Sequence, residues 1–322
     1  MSQSDTRRVV RVGLVGCGRL AEFGYLPAFR KIQGVTLVAS ADINPARCLT
    51  LASHVPAYDS IQSLIRAGGV DALVLSVPTR FHLEHARYAA EAGLPALVEK
   101  PPGANAQEAK DLQALKAAAW VGFNRRFEPQ LTALKQSMSS AQGLGLRLEL
   151  HYRRTTWKPF DMHDDALLDV GPHLIDLAQW LTESQVCSVR TLSLGEKHAE
   201  FELDLSRGRA VVACSTNRPY RERVDITDVD GRLRASYRRG GLVPGIVAKL
   251  RPQHENPLVR SLTAELQAFA RAVRGGSSGS LASVADGVAV MSVIEAVRNS
   301  AVRGGAACHV QSQTVSAGAH SK

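Results

Sequence analysis

The chain has 322 residues, 45% of them hydrophobic and 21% charged, with a formal net charge of +9 at pH 7. That length can hold two domains with separate cores, and the composition is that of an ordinary globular protein rather than a disordered or fibrous one. No run approaches the roughly 20 apolar residues of a membrane-spanning helix, and the polar, basic start lacks the apolar segment of a secretory signal.

The first element is a β-branched run over residues 9–15 that breaks at Gly16, as expected of a doubly covered parallel strand. A helix is predicted over 19–32 and a second strand over 35–39, ending near Asp42. Asn44 and Pro45 suit the N-cap and first position of a short helix over 45–54. A helix over 61–67, a strand over 72–77, a helix ending at 92, a strand over 96–99, a helix over 106–118 and a strand over 120–123 complete the alternation. Strands alternating with helices predict a doubly wound parallel sheet.

Beyond Phe123 the pattern changes. Helices are predicted over 128–138 and 171–181, and long alternating strands over 144–153, 188–194, 199–205 and 209–216. Phe201, Leu203 and Leu205 share one face, with Glu200, Glu202 and Asp204 on the other. No element is assigned between 217 and 257; two helices, over 258–273 and 284–301, close the chain. The expected fold class is therefore α/β. An N-terminal Rossmann-type sheet over 1–123 precedes a second α+β domain over 124–311 with a large, mostly antiparallel sheet, and 312–322 is expected to be a disordered tail.

Gly16-Cys17-Gly18-Arg19-Leu20-Ala21 reads G-x-G-x-x-A between a strand and a helix. Gly16 permits the tight turn, Gly18 lets backbone approach a pyrophosphate, and Ala21 lets helix and strand pack closely. The helix start offers unpaired N–H groups and positive dipole to phosphates, with Arg19 and Leu20 beside them. Asp42, closing the second strand, can accept hydrogen bonds from ribose hydroxyls and would repel a 2′-phosphate. NAD is thus favoured, although Arg47 nearby leaves NADP open.

The five cysteines (Cys17, Cys48, Cys187, Cys214, Cys308) show no CxxC pair and no metal-ligand spacing. No metal site is expected, and a reducing cytoplasm is the expected compartment. The basic excess is spread along the chain without a helix-turn-helix or an aromatic single-strand platform. It predicts no nucleic-acid partner, and fits a field that draws in anionic small molecules.

Four ordered motifs then carry a resemblance. They are Val77-Pro78-Thr79-Arg80-Phe81-His82, Val98-Glu99-Lys100-Pro101-Pro102, Gly122-Phe123-Asn124-Arg125-Arg126-Phe127 and Leu168-Asp169-Val170-Gly171-Pro172-His173. At this spacing the chain resembles the glucose-fructose oxidoreductase, inositol dehydrogenase and rhizopine-catabolism (Gfo/Idh/MocA) family. The resemblance implies hydride transfer between a nicotinamide and a secondary alcohol or ketone carbon of a sugar, cyclitol or amino sugar. A nucleotide-linked sugar is a further option, and a homodimer or homotetramer is the implied assembly. Ser76, Pro78, Thr79, His82, Glu99, Lys100, Asn124 and Arg126 would face the cofactor. Lys100, Asp169 and His173 would be the catalytic set. Two other outcomes stay open: an enzyme that uses tightly held NAD in a closed redox cycle, and a dinucleotide-binding sensor.

The chemistry asks for the same residue types. Alcohol oxidation needs a base for the hydroxyl proton, and histidine suits that near neutral pH. Asp169 and His173 stand at i and i+4, so on a helix they would share a face, with Asp169 able to orient the imidazole or hold a substrate hydroxyl. Either Lys100 or His173 could accept the proton. The segment Asp161-Met162-His163-Asp164-Asp165 replaces a glycine-rich run common in the family. Its acids, Asp164 and Asp165 above all, would suit an amino sugar or aminocyclitol, whereas Arg153 would suit an anionic group. Trp157 is expected to line the same pocket.

Overall fold

The computed structural model describes residues 8–115, 117–138, 143–154, 164–240 and 256–310. Trp157, Asp161, His163 and the expected tail lie outside the described residues. The first sheet is built from β1 (Val10–Val15), β2 (Val35–Ala41), β3 (Ala57–Tyr58), β4 (Ala72–Leu75), β5 (Ala96–Glu99) and β6 (Ala119–Gly122). Their spatial order is β3-β2-β1-β4-β5-β6, and every pair among them is parallel. This is the dinucleotide-binding strand order, in which the chain reverses direction across the sheet between β1 and β4 and opens a crevice at the strand C-termini.

The helix after β1 differs from a plain α-helix. Residues Ala21–Tyr25 form a π-turn, with Leu26 N–H donating to Ala21 O, and α1 (Leu26–Phe29) follows. Pro27 supplies the reason: it has no N–H to give Phe23 and its ring would crowd that carbonyl, so the ladder shifts by one residue. Around this sheet lie α2 (Pro45–Leu51), α3 (Ile61–Ala67), α4 (His82–Glu91) and α5 (Ala106–Ala114). Asn44, Ser60 and Asn105 cap α2, α3 and α5 through their side-chain oxygens.

The remaining helices are α6 (Pro129–Ser137), α7 (Ala166–Asp169), α8 (Gly171–Thr182), α9 (Pro257–Val273) and α10 (Val284–Val302). The second sheet runs β12-β11-β7-β10-β9-β8-β14. It contains β7 (Leu144–Arg153), β8 (Val186–Gly195), β9 (His198–Leu205), β10 (Gly208–Ser215), β11 (Asn217–Thr227), β12 (Leu233–Gly240) and β14 (Cys308–His309). Only β7 and β10 pair in parallel. Three of these strands, β11, β12 and the two-residue β14, form where the sequence pattern assigns none. Along β11 the inward face carries Glu222 beside Val224 and Ile226, and a buried carboxylate breaks the apolar alternation that marks a strand.

The chain does not leave the first sheet for good at Phe123. Val259, Leu262, Leu266 and Phe269 of α9 share a core with Val10, Val12, Leu14 and Leu37 of β1 and β2. Phe269 meets Trp120 edge-on with ring centroids 5.7 Å apart. β13 (Ala282–Ser283) then pairs antiparallel with β6 as a seventh strand. The other face of the first sheet joins α10 and the second sheet in one continuous core. The two sheets are thus packed through a shared core, with a cleft at the C-terminal ends of β1, β2, β4 and β5. No described helix is long and apolar enough to cross a membrane.

Candidate active site

The cleft has a volume of about 1380 Å³ and is lined from both sheets. Its first half is made largely by backbone. Gly16 sits at φ +94°, and a Cβ there would lie 2.2 Å from the carbonyl oxygen of Ser76, so only glycine fits. A Cβ on Gly18 would meet nothing within 4 Å; the space beside it opens into the cleft. Asp42 locks this loop: Oδ2 accepts from Cys17 N–H at 2.8 Å and Oδ1 from Asn44 N–H at 2.8 Å. Arg47 stands 3.9 Å from the same carboxylate. Arg19, Leu20, Asp42 and Arg47 all line the cleft.

Ser76, Pro78 and Thr79 form the adjoining wall, and Thr79 Oγ1 donates to Asp164 Oδ2 at 2.7 Å, tying the two halves together. Glu99 closes β5 with its carboxylate over Gly122. Oε1 accepts from Tyr25 OH at 2.6 Å and Oε2 from Lys100 N–H at 3.1 Å. A Cβ on Gly122 would lie 3.1 Å from that carboxylate, so the glycine makes room for it. Burial raises the Glu99 carboxyl above its ordinary range despite these donors.

Asn124 also lines the cleft. Its Nδ2 donates to Ser261 Oγ at 3.2 Å, while its Oδ1 is buried with no partner among the described residues. An orphaned amide oxygen at the cleft wall is suited to a ligand N–H donor such as a nicotinamide carboxamide. With the Gly16–Gly18 loop and Asp42, it makes the residues present fit a nicotinamide dinucleotide.

Two residues expected at the cofactor stand elsewhere. Arg126 is buried behind the wall, its guanidinium on Asp176 at 2.5 Å and near Asp286 at 3.5 Å; Arg125 and Glu128 line the cleft in its place. His82 is also behind the wall, between the carbonyls of Val77 and Pro101.

The second half is made by side chains that neutralise one another. Lys100 Nζ donates to the Asp169 carbonyl at 2.8 Å and lies 3.4 Å from Asp169 Oδ1. Asp169 Oδ2 accepts from Tyr152 OH and from Arg154 Nη2 at 2.8 Å. Burial alone would raise the Asp169 carboxyl, but Lys100, Tyr152 and Arg154 outweigh it and hold it below its ordinary range. The expectation that Asp169 orients His173 is not met. The carboxylate is spent on the other three groups, and His173 Nδ1 is buried with no partner among the described residues. Burial first, then the charges of Lys100 and Arg125, push the His173 pKa well below 6.5. His173 lines the cleft, and its lowered pKa favours the neutral imidazole.

Asp164 and Asp165 part company. Asp164 lines the cleft, while Asp165 turns away: its Oδ1 caps α7 at Leu168 N–H, and its Oδ2 pairs with Arg298 at 3.0 Å. Arg153 lines the cleft. Sequence reading missed the role of Arg154 and the support beneath Arg125. There Glu222 takes the Arg125 guanidinium, the Tyr220 hydroxyl at 2.9 Å and the Tyr237 hydroxyl at 3.3 Å. Arg239 lies over the Tyr220 ring, 5.7 Å from its centroid. The strand β11, absent from the sequence pattern, was the missing signal. Among the described residues no group of His, Cys, Asp and Glu could hold a metal ion.

A Rossmann sheet whose cleft brings a lysine from the end of β5 against a carboxylate of α7 and a histidine of α8 has the make-up of a dinucleotide-dependent dehydrogenase. Comparison with known proteins agrees. Residues 10–122 match the GFO_IDH_MocA family, described as an oxidoreductase family with an NAD-binding Rossmann fold. That match spans the first unit of the chain, and the protein is an NAD-binding oxidoreductase.

It is 27% identical over 308 residues to the rhizopine catabolism protein MocA of Rhizobium meliloti, covering 89% of this chain and 93% of that protein. It is 32% identical over 209 residues to an inositol 2-dehydrogenase of Acidothermus cellulolyticus. That match spans 62% of this chain and 61% of that enzyme. Among solved structures, the scyllo-inositol dehydrogenase of Lactobacillus casei with bound NAD(H) and scyllo-inositol superposes with a TM-score of 0.78. Coverage is 95% of this chain and 100% of that one at 18% identity, a likeness of fold.

Proposed function

We propose that the protein oxidises a secondary alcohol of a cyclitol or sugar, reversibly, with His173 as proton acceptor and Lys100 as the donor that steadies the reacting oxygen. The carrying observation is the geometry around Asp169. Lys100 is engaged as a hydrogen-bond donor to Asp169, whereas His173 is neutral and unpartnered. A base needs a free lone pair, and of the two candidates His173 offers one.

Bound nicotinamide supplies the acceptor for the hydride that leaves the alcohol carbon. As the C–H pair departs and the C=O bond forms, the hydroxyl proton passes to His173. The Lys100 ammonium hydrogen-bonds the developing oxyanion. Asp169, itself held by Tyr152 and Arg154, holds Lys100 in place. NAD is the favoured cofactor, because a carboxylate at the end of β2, here Asp42, would repel a 2′-phosphate, while Arg47 lies only 3.9 Å from that carboxylate and tempers the preference.

The cyclitol reading is supported by the names of the relatives above; among amines, Asp164 remains at the cleft as a recognition group while Asp165 does not. The division into a dinucleotide unit over 1–123 and a substrate and assembly unit over 124–311, acting as a homodimer or homotetramer, belongs to the same proposal. Its one amendment is that residues 257–283 serve the first unit.

The test is a turnover panel. NAD or NADP is supplied with inositols, inosamines, aldoses and nucleotide sugars, absorbance is followed at the nicotinamide band, and Lys100→Ala serves as control. Reduced cofactor formed with a cyclitol and lost in Lys100→Ala supports the reading. Tight dinucleotide binding with no net reduction on any substrate would replace it with a closed redox cycle or a sensor.

A further inference from the structure

His82 heads α4 and is only 1% exposed, so it does not line the cleft. Its ring nevertheless touches two cleft-forming loops. Nδ1 lies 2.6 Å from the carbonyl oxygen of Pro101, and Nε2 lies 2.8 Å from that of Val77. Pro101 follows Lys100 directly at the end of β5; Val77 opens the Val77-Pro78-Thr79 wall at the end of β4, the neighbouring strand. Val77, Pro78, Thr79, Lys100 and Pro101 all line the cleft.

We propose that His82 is a positioning residue for Lys100, bracing the Lys100–Pro101 loop against the wall after β4 from behind the cofactor cleft. The argument is one of supply and demand for donors. A carbonyl only accepts, so the ring donates to Pro101 through Nδ1 or to Val77 through Nε2, and a neutral imidazole has one N–H for the two. With its proton on Nδ1 the ring holds Pro101, while the His82 backbone N–H holds the Thr79 carbonyl of the wall after β4, and the backbone from which Lys100 Nζ reaches Asp169 is set between them. Opposite, Thr79 Oγ1 holds Asp164 on the far wall. The lysine is therefore fixed at both ends: at its backbone by His82, at its ammonium by Asp169. An amine at the reacting oxygen is sensitive to such bracing, since a misplacement of about 1 Å can cost on the order of 100-fold in rate.

This inference rests on the proposed role of Lys100, so its test needs a readout independent of any substrate. Lys100 is trace-labelled with acetic anhydride in the intact protein and quantified by peptide mass spectrometry, with the exposed Lys110 as internal reference. The samples are wild type, His82→Ala and His82→Gln, each with its melting temperature and NADH affinity. The expected result is a several-fold rise in Lys100 labelling relative to Lys110 in His82→Ala, partial restoration in His82→Gln, and NADH affinity within about 3-fold of wild type. Where turnover is available, kcat should fall by about 10- to 100-fold with little change in the KM for dinucleotide.

Unchanged Lys100 labelling in folded His82→Ala overturns the proposal. Should both variants fail to fold, the wild-type protein decides. Its ¹H–¹⁵N spectrum must show a proton on Nδ1 of His82, and an unprotonated Nδ1 overturns the brace. If no substrate turns over but labelling responds as expected, it is the functional reading that fails, not the brace.

Discussion

The two halves of the cleft are built from different materials. The dinucleotide half depends on backbone: one glycine at positive φ, loop N–H groups and a carboxylate that ties the loop to the end of β2. The substrate half depends on side chains brought from distant segments. Asp169 gathers Lys100 from β5's end and Tyr152 and Arg154 from β7's end, and Glu222 of β11 carries Arg125. The first kind of site tolerates almost no change in its key residue. The second spreads its cost over a paired network, in which removing one partner leaves the others charged, buried and uncompensated.

That contrast is sharpest at Gly16. Alanine there would have to adopt φ +94° with its Cβ 2.2 Å from a backbone oxygen. Gly16→Ala should weaken NADH binding by at least about 100-fold in a fluorescence titration, or prevent folding. Near-normal affinity would break the claim that backbone makes this half.

In the other half, Asp169→Asn removes the negative charge that holds Lys100, Tyr152 and Arg154 together. It should lower turnover by about 100-fold while NADH affinity stays within about 3-fold, a split visible in steady-state kinetics alongside direct titration. Equal losses in both would show that the halves are not separable.

Asp42 belongs to the first half but acts by charge. Asp42→Asn should shift the NAD-over-NADP preference by about tenfold toward NADP, a change of about 1.4 kcal/mol in differential binding. The smallest effect is expected at Asp165. Asp165→Ala should cost about 1 kcal/mol of stability through the lost α7 cap, with little from its half-exposed pair with Arg298. The KM for amino substrates should not move, whereas Asp164→Asn should raise it if amines are recognised.

The same division governs what the sequence made legible. The dinucleotide half is encoded locally. Gly16, Gly18 and Asp42 stand in fixed order around one strand, turn and helix, and their geometry follows from that spacing. The alternation of strands and helices up to Gly122 likewise needs only local periodicity. The substrate half was legible only as types of residue. Lys100, Asp169 and His173 could be named, but their pairing could not, because the helical spacing of Asp169 and His173 suggested a contact that Lys100, Tyr152 and Arg154 take instead.

Arg126 and His82 fell on the wrong side of the wall for a related reason. Each sits beside cleft residues in sequence, yet satisfies a buried partner, Asp176 or a loop carbonyl, that sequence does not reveal. β11 escaped notice because buried Glu222 interrupts its apolar face, and that interruption is what supports Arg125; β12 buries only Tyr237 and so shows no apolar face at all.

The pH dependence joins both halves to the chemistry. An ordinary histidine base loses its lone pair as pH falls through about 6.5. The His173 pKa is held well below that, so the imidazole stays neutral there. Alcohol oxidation should therefore keep its rate through pH 6.5 and lose it only in more acidic solution.

The central claim is most directly tested by measuring NADH formation from NAD and a cyclitol in wild type and His173→Gln side by side, with NADH affinity taken on the same samples. The account predicts steady NADH formation by wild type. In the variant it predicts affinity within about 3-fold but turnover at least about 100-fold slower. A His173→Gln enzyme that forms NADH at the wild-type rate would contradict it.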